Sequence, residues 1–275
     1  MATPIGNLAD LTLRAIHVLG LVDAVACEDT RVSAGLLRHL GLDKPLMALH
    51  QHNEHQAAAT VLQRLSQGQR VAYVSDAGTP AVSDPGAALV AQVAAAGHRV
   101  LPIPGASSAL AALSVAGDAR SGGFAFVGFL PARGAERAAA LRALAQGVVA
   151  QVLFEAPHRI EALAGELAAL LPQRMLTLCR ELTKQFETVH TLPAAQLPAW
   201  LAADPNRHRG EFVLVLHAPE PAATDTGLPA AATDMLVVLL RELPLKQAVS
   251  LAAELSAAPR NALYQAALRM KADAP

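Results

Sequence analysis

One pattern recurs along the first half of the chain: a short apolar run, a polar turn, then a longer run whose apolar residues fall on one helical face. It predicts helices over residues 13–21, 33–40, 57–65, 87–96 and 107–116, and strands over 24–27, 71–74 and 99–103. Gly41 and Gly97 follow two of these helices directly, where a left-handed residue commonly closes the last turn. Strands separated by helices of this length indicate βαβ units and a mostly parallel sheet. After a break at residues 117–123 the pattern resumes, with strands over 124–129, 148–154, 175–179 and 211–217 and helices over 135–145 and 158–171. Residues 192–203 read as an irregular or helical crossing. These strands alternate or run apolar throughout, so a second α/β domain with a mixed sheet is expected.

Beyond it, residues 219–229 (PEPAATDTGLP) read as a linker by composition. Three helix-forming runs follow at 230–243, 246–255 and 260–271, with Pro259 near the start of the last. Two short helices joined tightly after a preceding one match a helix-turn-helix unit, and a helical cap or dimerisation element matches equally well. The expected organisation is an α/β domain over 1–117, a second over 118–218, a linker over 219–229 and a helical domain over 230–275.

Composition narrows the class. At 53% hydrophobic and 16% charged the chain is globular, and with 3% aromatics its cores must be built from Ala, Leu and Val. No apolar run approaches the ~20 residues that span a bilayer, and the start is no signal peptide, so a cytoplasmic protein with no membrane partner is expected. Cys27 and Cys179 each end an apolar run far apart in sequence, which suits buried free thiols in a reducing compartment. A net charge of −1 announces no nucleic acid, so any RNA binding must rest on a local patch.

The chemistry gathers where strands end. After the strand at 71–74 comes a turn dense in Gly, Pro, Ser and Asp, running from Ser75 through Asp76, Ala77, Gly78, Thr79, Pro80, Val82, Ser83 and Asp84 to Gly86. In open α/β sheets ligands sit beyond the carboxyl ends of strands, and a loop this stiff with two carboxylates suits a small polar ligand. Thr3-Pro-Ile-Gly-Asn7 forms a turn at the start of the chain. Glu28-Asp-Thr-Arg31 follows the strand at 24–27, where Asp29 or Thr30 also suits a helix N-cap. Pro104-Gly-Ala-Ser-Ser108 opens a helix with small residues and free amides. Glu155-Ala-Pro-His-Arg159 and Arg180-Glu-Leu-Thr-Lys184 close two strands of the second half. Together they describe a cleft between two domains with polar walls on both sides. His50, His52 and His55 fit no standard zinc spacing and read as a polar loop near that cleft, so no metal is expected. Neither GxGxxG nor GxxxxGK[ST] occurs, which excludes dinucleotide and P-loop readings.

In order, the strings ATPIGNL, ACEDTR, SDAGTPAVSDPG, PIPGASSAL, FVGFLP, FEAPHR, RELTKQFE and GEFVLV resemble the tetrapyrrole methylase superfamily of S-adenosylmethionine-dependent enzymes. Within it they resemble the ribosomal RNA small subunit methyltransferase I family, whose C-terminal helix-turn-helix domain the tail LPLKQAVSLAAELSAAPRNALYQAAL also resembles. The resemblance implies an α/β, two-domain tetrapyrrole methylase fold with a C-terminal helix-turn-helix extension. It implies a homodimer that uses S-adenosylmethionine to methylate the ribose 2′-hydroxyl of a cytidine in the decoding region of 16S rRNA. Asp76, Ala77, Gly78, Thr79, Pro80, Val82 and Ser83 then hold the cofactor, with Pro104, Gly105, Ser107 and Ser108 as a second contact segment and Ala156 and Pro157 lining the second-domain side. Lys246, Arg260, Arg269 and Lys271 become RNA contacts, although from Leu228 onward five basic residues face four acidic ones. The family carries a strand immediately before TPIGN, and this sequence begins at Met1-Ala2, so a central strand is expected to be missing or shortened.

A ribose hydroxyl is a poor nucleophile near neutral pH and benefits from a base or a cation. Asp29, Asp84 and Glu181 are the candidate bases, with Arg31 and Lys184 to lower the hydroxyl's pKa or hold a phosphate. Glu28 and Glu155 suit either catalysis or structural pairing with Arg31 and Arg159. Within the same fold the alternatives are a precorrin-type methylase acting on a small tetrapyrrole and a non-catalytic RNA-binding assembly factor.

Overall fold

The computed structural model describes residues 1–50, 54–220 and 228–272. The chain divides into two compact units, Met1–Ala218 and Pro219–Pro275.

The first unit opens with helix α1 (Leu13–Leu21), strand β1 (Ala24–Cys27), helix α2 (Thr30–His39), strand β2 (Leu46–Ala48), helix α3 (Glu54–Ser66), strand β3 (Val71–Val74) and helices α4 (Ala87–Ala95) and α5 (Ser108–Ala116). The strands form a parallel sheet in the order β2-β1-β3, with Val25 opposite Leu46 and Ala72. β1 is buried along its whole length, as a central parallel strand covered on both faces must be. Strand β2 is absent from the sequence reading because three residues, two of them only half-buried, carry no visible periodicity.

Residues 99–103 are not a strand, contrary to expectation. A strand exists by its ladder, and residues 1–3 lie beside this segment without forming one. The Met1 amino group bonds the Tyr73 carbonyl (2.8 Å), and the Ala2 amide bonds that of Ile103 (3.1 Å). Thr3 exchanges two bonds with Gly78, an isolated antiparallel bridge. A single bond at Ile103 makes no ladder, and Val100 and Leu101 stay exposed.

Strand β4 (Phe124–Phe129), helix α6 (Gly134–Gln146), strand β5 (Ala150–Glu155), helix α7 (Ile160–Leu170), strands β6 (Met175–Arg180) and β7 (Thr188–Pro193), helix α8 (Leu197–Ala202) and strand β8 (Phe212–Leu216) complete the unit. They make a mixed sheet, β4-β5-β8-β6-β7, in which β4 pairs with β5 in parallel and the other neighbours pair antiparallel. The stretch read as an irregular or helical crossing holds α8, and strand β7, which the sequence pattern did not announce, precedes it and shares only Leu192 and Pro193 with it. Strand β7 is an edge strand with mostly partial burial, so its pattern is blurred. Helix α5 packs its Ala109, Ala112 and Ala116 onto this second sheet against Val152, Cys179, Val213 and Val215. Small residues at helical spacing let the helix lie close to the strands, and they join the two sheets into one body. Cys27 and Cys179 are buried free thiols, and burial pushes the Cys179 thiol up to about 12.

The second unit holds helices α9 (Ala230–Glu242), α10 (Leu245–Ser256) and α11 (Arg260–Ala272), around a core that includes Leu236, Val249 and Leu263. Ala257, left-handed at φ 53°, turns α10 into α11. Among the described residues no helix is long and apolar enough to cross a membrane.

Candidate active site

The loops at the strand ends are tied to one another by specific bonds. Asp76 Oδ1 accepts the Asp29 amide at 2.9 Å, linking the end of β1 to the loop after β3. The Thr3 hydroxyl donates to the Ser75 carbonyl, and the Ser75 hydroxyl donates to that of Gly78, both at 3.1 Å. The Thr79 hydroxyl donates to the Ala106 carbonyl at 3.1 Å, bringing residues 104–108 against the same loop. From the second half, a Cβ on Gly6 would lie 2.4 Å from Lys184 Cγ, and one on Gly128 would lie 3.1 Å from Ser83 Oγ. The turn at residues 3–7, the loops after β1 and β3, the start of α5, the loop after β6 and the bulged strand β4 therefore converge. Thr3, Gly6, Ser33, Ser75 and Asp76 line a cavity of about 220 Å³ there.

Residues 156 and 157 do not join by the same kind of contact. The Glu155 carboxylate is fully buried and turns toward α6, with Oε1 3.1 Å from Arg159 Nε and Oε2 4.0 Å from Arg137 Nη2. Its Oε1 also accepts the Ala156 amide, while Pro157 is exposed. Of the two roles open to Glu155, the structure supports pairing with Arg159.

Two loops hold non-glycine residues in left-handed backbone: Ala81 (φ 63°) and Ser83 (φ 67°) after β3, Glu181 (φ 53°) and Thr183 (φ 66°) after β6. Each such residue costs on the order of 1 kcal/mol or more, and such strain clusters at ligand sites. In the first loop, Gly86 (φ 121°) packs so tightly on Tyr73 that a Cβ would fall 2.2 Å from the ring, and the Tyr73 hydroxyl donates to the Pro85 carbonyl. Tyr73 thus braces the loop from below, a part the apolar strand string does not advertise.

The candidate charged groups separate by environment. Asp29 is the N-cap of α2, accepting the Arg31 amide at 2.8 Å, and its carboxylate pairs with Arg31 (Oδ2 to Nη2, 2.5 Å). The Arg31 side chain and backbone amide hold that carboxyl down to about 2. Arg31 thus pairs with Asp29 and not with Glu28, because the extended N-cap backbone turns the Asp29 side chain back onto it. Glu28 instead joins Asp76, Asp84 and Asp29, and burial followed by those three charges raises its carboxyl. Lys184 Nζ contacts Glu181 Oε1 and Glu211 Oε2, both at 2.9 Å, while Glu181 Oε1 also accepts the Glu211 amide. Burial works upward on Glu181, but the backbone bond at Glu211 and then Lys184 outweigh it, leaving its carboxyl lowered. Asp84 is half-buried with no hydrogen-bond partner among the described residues, and burial, then Asp76, raises its carboxyl.

Asp76, Pro80, Ser107 and Ser108 are half-buried and Gly78 buried, whereas Ala77, Thr79, Val82, Ser83, Pro104 and Gly105 are exposed. Ser107 is the N-cap of α5, yet its hydroxyl caps nothing, leaving it and the first-turn amides available to a ligand. Lys246, Arg260, Arg269 and Lys271 are exposed on the second unit, described by itself. Glu211 and Glu28 are the participants that sequence reasoning underweighted; a charged residue at the head of the apolar strand in GEFVLV was the available signal for Glu211. His50 is exposed, and residues 51–53 of the histidine-rich stretch lie outside the described residues.

A family model described as Tetrapyrrole (Corrin/Porphyrin) Methylases matches residues 2–198, and one described as RsmI C-terminal HTH domain matches residues 226–271. The chain is 46% identical, over 98% of its own length and 93% of the other, to a protein of Escherichia coli O157:H7 named Ribosomal RNA small subunit methyltransferase I. This chain belongs to the ribosomal RNA small subunit methyltransferase I family, within the tetrapyrrole methylases. Solved structures share the fold of this methyltransferase I family member. Uroporphyrin-III-C-methyltransferase from Thermus thermophilus matches with a TM-score of 0.56 at 23% identity, covering 80% of this chain and 97% of that one. A uroporphyrin-III C-methyltransferase of that organism complexed with S-adenosyl homocysteine matches with a TM-score of 0.51 at 20% identity, covering 77% and 93%.

Proposed function

We propose that this protein methylates the ribose 2′-hydroxyl of a cytidine in the decoding region of 16S rRNA. The observation that carries the reading is the 46% identity sustained over 98% of the chain with a relative named for the small-subunit ribosomal RNA. The cofactor is S-adenosylmethionine, which supplies a methyl group on a positively charged sulfur. The residues fit it. The loop from Asp76 to Ser83, pinned by Thr3 and Tyr73, offers polar backbone around a left-handed Gly78, and the uncapped start of α5 at Ser107 faces that loop through Thr79 and Ala106. Ala156 and Pro157 form its second-domain side in this reading.

Asp84 is the base of choice among the three candidates. Asp29 and Glu181 are each held in an ion pair with lowered carboxyls, whereas Asp84 is unpaired and raised. A base works best when its pKa lies near the working pH, so the upward direction favours Asp84. Lys184 and Arg31 steady the phosphates flanking the ribose. Glu211 and Glu181 fix Lys184 for that task. The reading carries with it a cytoplasmic homodimer, testable by sedimentation of the purified protein.

Labelled S-adenosylmethionine and small subunits from a strain lacking the enzyme provide the test, followed by mapping of the methylated riboses. Label on a cytidine ribose of the decoding region is expected. Label confined to a corrinoid precursor, or none in 16S rRNA, would sink the reading.

The second unit serves as an RNA anchor through Lys246, Arg260, Arg269 and Lys271. A chain ending at Ala218 is expected to bind small subunits on the order of tenfold or more weakly, since each lost phosphate contact also flattens the salt dependence. Its affinity for S-adenosylmethionine, measured by calorimetry, is expected to hold. Undiminished subunit binding would refute the anchor.

A further inference from the structure

A second cavity, of about 360 Å³, is lined by three arginines, Arg133, Arg137 and Arg159. Arg133 follows β4 and Arg159 follows β5, and these strands are parallel neighbours, so both enter from carboxyl ends on the same side of the sheet. That is the side on which α/β sheets bind ligands.

Two of the three charges are already spent inside the protein. Arg137 grips Glu166 through Nε and Nη2 (2.9 and 2.5 Å) and donates Nη1 to the Pro131 carbonyl (2.9 Å). Arg159 pairs with Glu155 at 3.1 Å and donates Nη2 to the Leu130 carbonyl at 2.6 Å. Arg133 is different. It is exposed, and among the described residues its guanidinium has neither a carboxylate nor a hydrogen-bond partner. Its side chain does not cap α6, and Gly134, the first residue of that helix, lines the same cavity, so the helix dipole adds to the charge. Glu166 is the one carboxylate on the wall, and it is taken up by Arg137.

We propose that this arginine-lined cavity binds a backbone phosphate of the RNA substrate, with Arg133 as the contacting group and Arg137 and Arg159 as its braced wall. The inference rests on the ribosomal RNA reading above. With a net charge of −1 the chain has no general attraction for RNA, so a local site of uncompensated positive charge adds to its hold on the substrate. A planar guanidinium meets a phosphodiester through two parallel hydrogen bonds, and this cavity has room for the group.

Arg133→Ala and Arg133→Lys test it, with the full chain and small subunits from a strain lacking the enzyme, bound across a salt series. The alanine variant is expected to bind on the order of fivefold more weakly and to lower the steepness of the salt dependence by about one. It should raise KM for subunits far more than it lowers kcat, with S-adenosylmethionine affinity unchanged. The lysine variant should recover most of the loss, because a point charge still meets a phosphate. A wild-type protein that methylates subunits, beside an alanine variant with the same affinity and salt slope, overturns the inference alone. A wild-type protein that leaves subunits unmethylated overturns the underlying reading and this inference with it.

Discussion

Replacing Arg137 by Met is expected to destabilise the protein by about 3 kcal/mol, the lower end of the cost of breaking a buried ion pair. The Arg137 side chain is 8% exposed and sits between Glu166, which it holds bidentately, and Glu155, whose side chain is fully buried. Among the described residues Glu155 Oε2 has no hydrogen-bond partner, so Arg137 and Arg159 supply its charge compensation. Removing one guanidinium strands part of a buried carboxylate charge, and Arg159 limits the damage without cancelling it. Urea unfolding followed by fluorescence of Trp200, the single tryptophan, reads the change within Met1–Ala218. Adding Glu155→Gln to the same chain should recover part of the loss, since it removes the charge that had lost its partner. A shift under about 1 kcal/mol would mean that water already reaches the pair.

Asp84→Asn is expected to lower kcat by roughly 10²- to 10⁴-fold, the usual contribution of a positioned general base. S-adenosylmethionine affinity should change little, because the asparagine keeps the shape of the loop. The pH profile supplies the sharper signature. Burial and the neighbouring Asp76 raise the Asp84 carboxyl, so the active, ionised form is lost as pH falls through that raised value. In the wild type the rate therefore rises with pH along a limb displaced above the ordinary carboxylate range, and in the asparagine variant that limb disappears. An intact limb in the variant would move the role of base to another group. Asp29→Asn is the control: with its carboxyl held down to about 2, it produces no limb near neutral pH.

Much of the architecture was legible because burial and periodicity coincide. Residues 13–21, 24–27, 71–74 and 124–129 are bounded in the structure as the pattern bounds them. The readings failed where an element depends on a neighbour. Residues 99–103 have strand composition and no ladder, while β2 and β7 have a ladder and weak composition. The candidate site divides the same way. That charged clusters end the strands was visible in ACEDTR, SDAGTPAVSDPG and RELTKQFE; which partner each charge takes was not. Arg31 chose Asp29 over Glu28 because of one extended N-cap, and Lys184 chose Glu211, 27 residues away, because β8 starts beside the loop after β6.

By itself, then, the sequence determined the alternation of strands and helices, the strand-end loops that hold the polar residues, and a family signature spread along nearly the whole chain. These follow from local chemistry: apolar spacing, turn residues and strings of fixed order. Only the tertiary structure decided that Asp84 stays unpaired while Asp29 and Glu181 are held in ion pairs, that Glu155 is a buried strut, and that Ala81, Ser83, Glu181 and Thr183 take left-handed backbone. Those outcomes depend on distances between residues far apart in the chain, and electrostatic energies vary with distance and burial, which no linear order of residues contains.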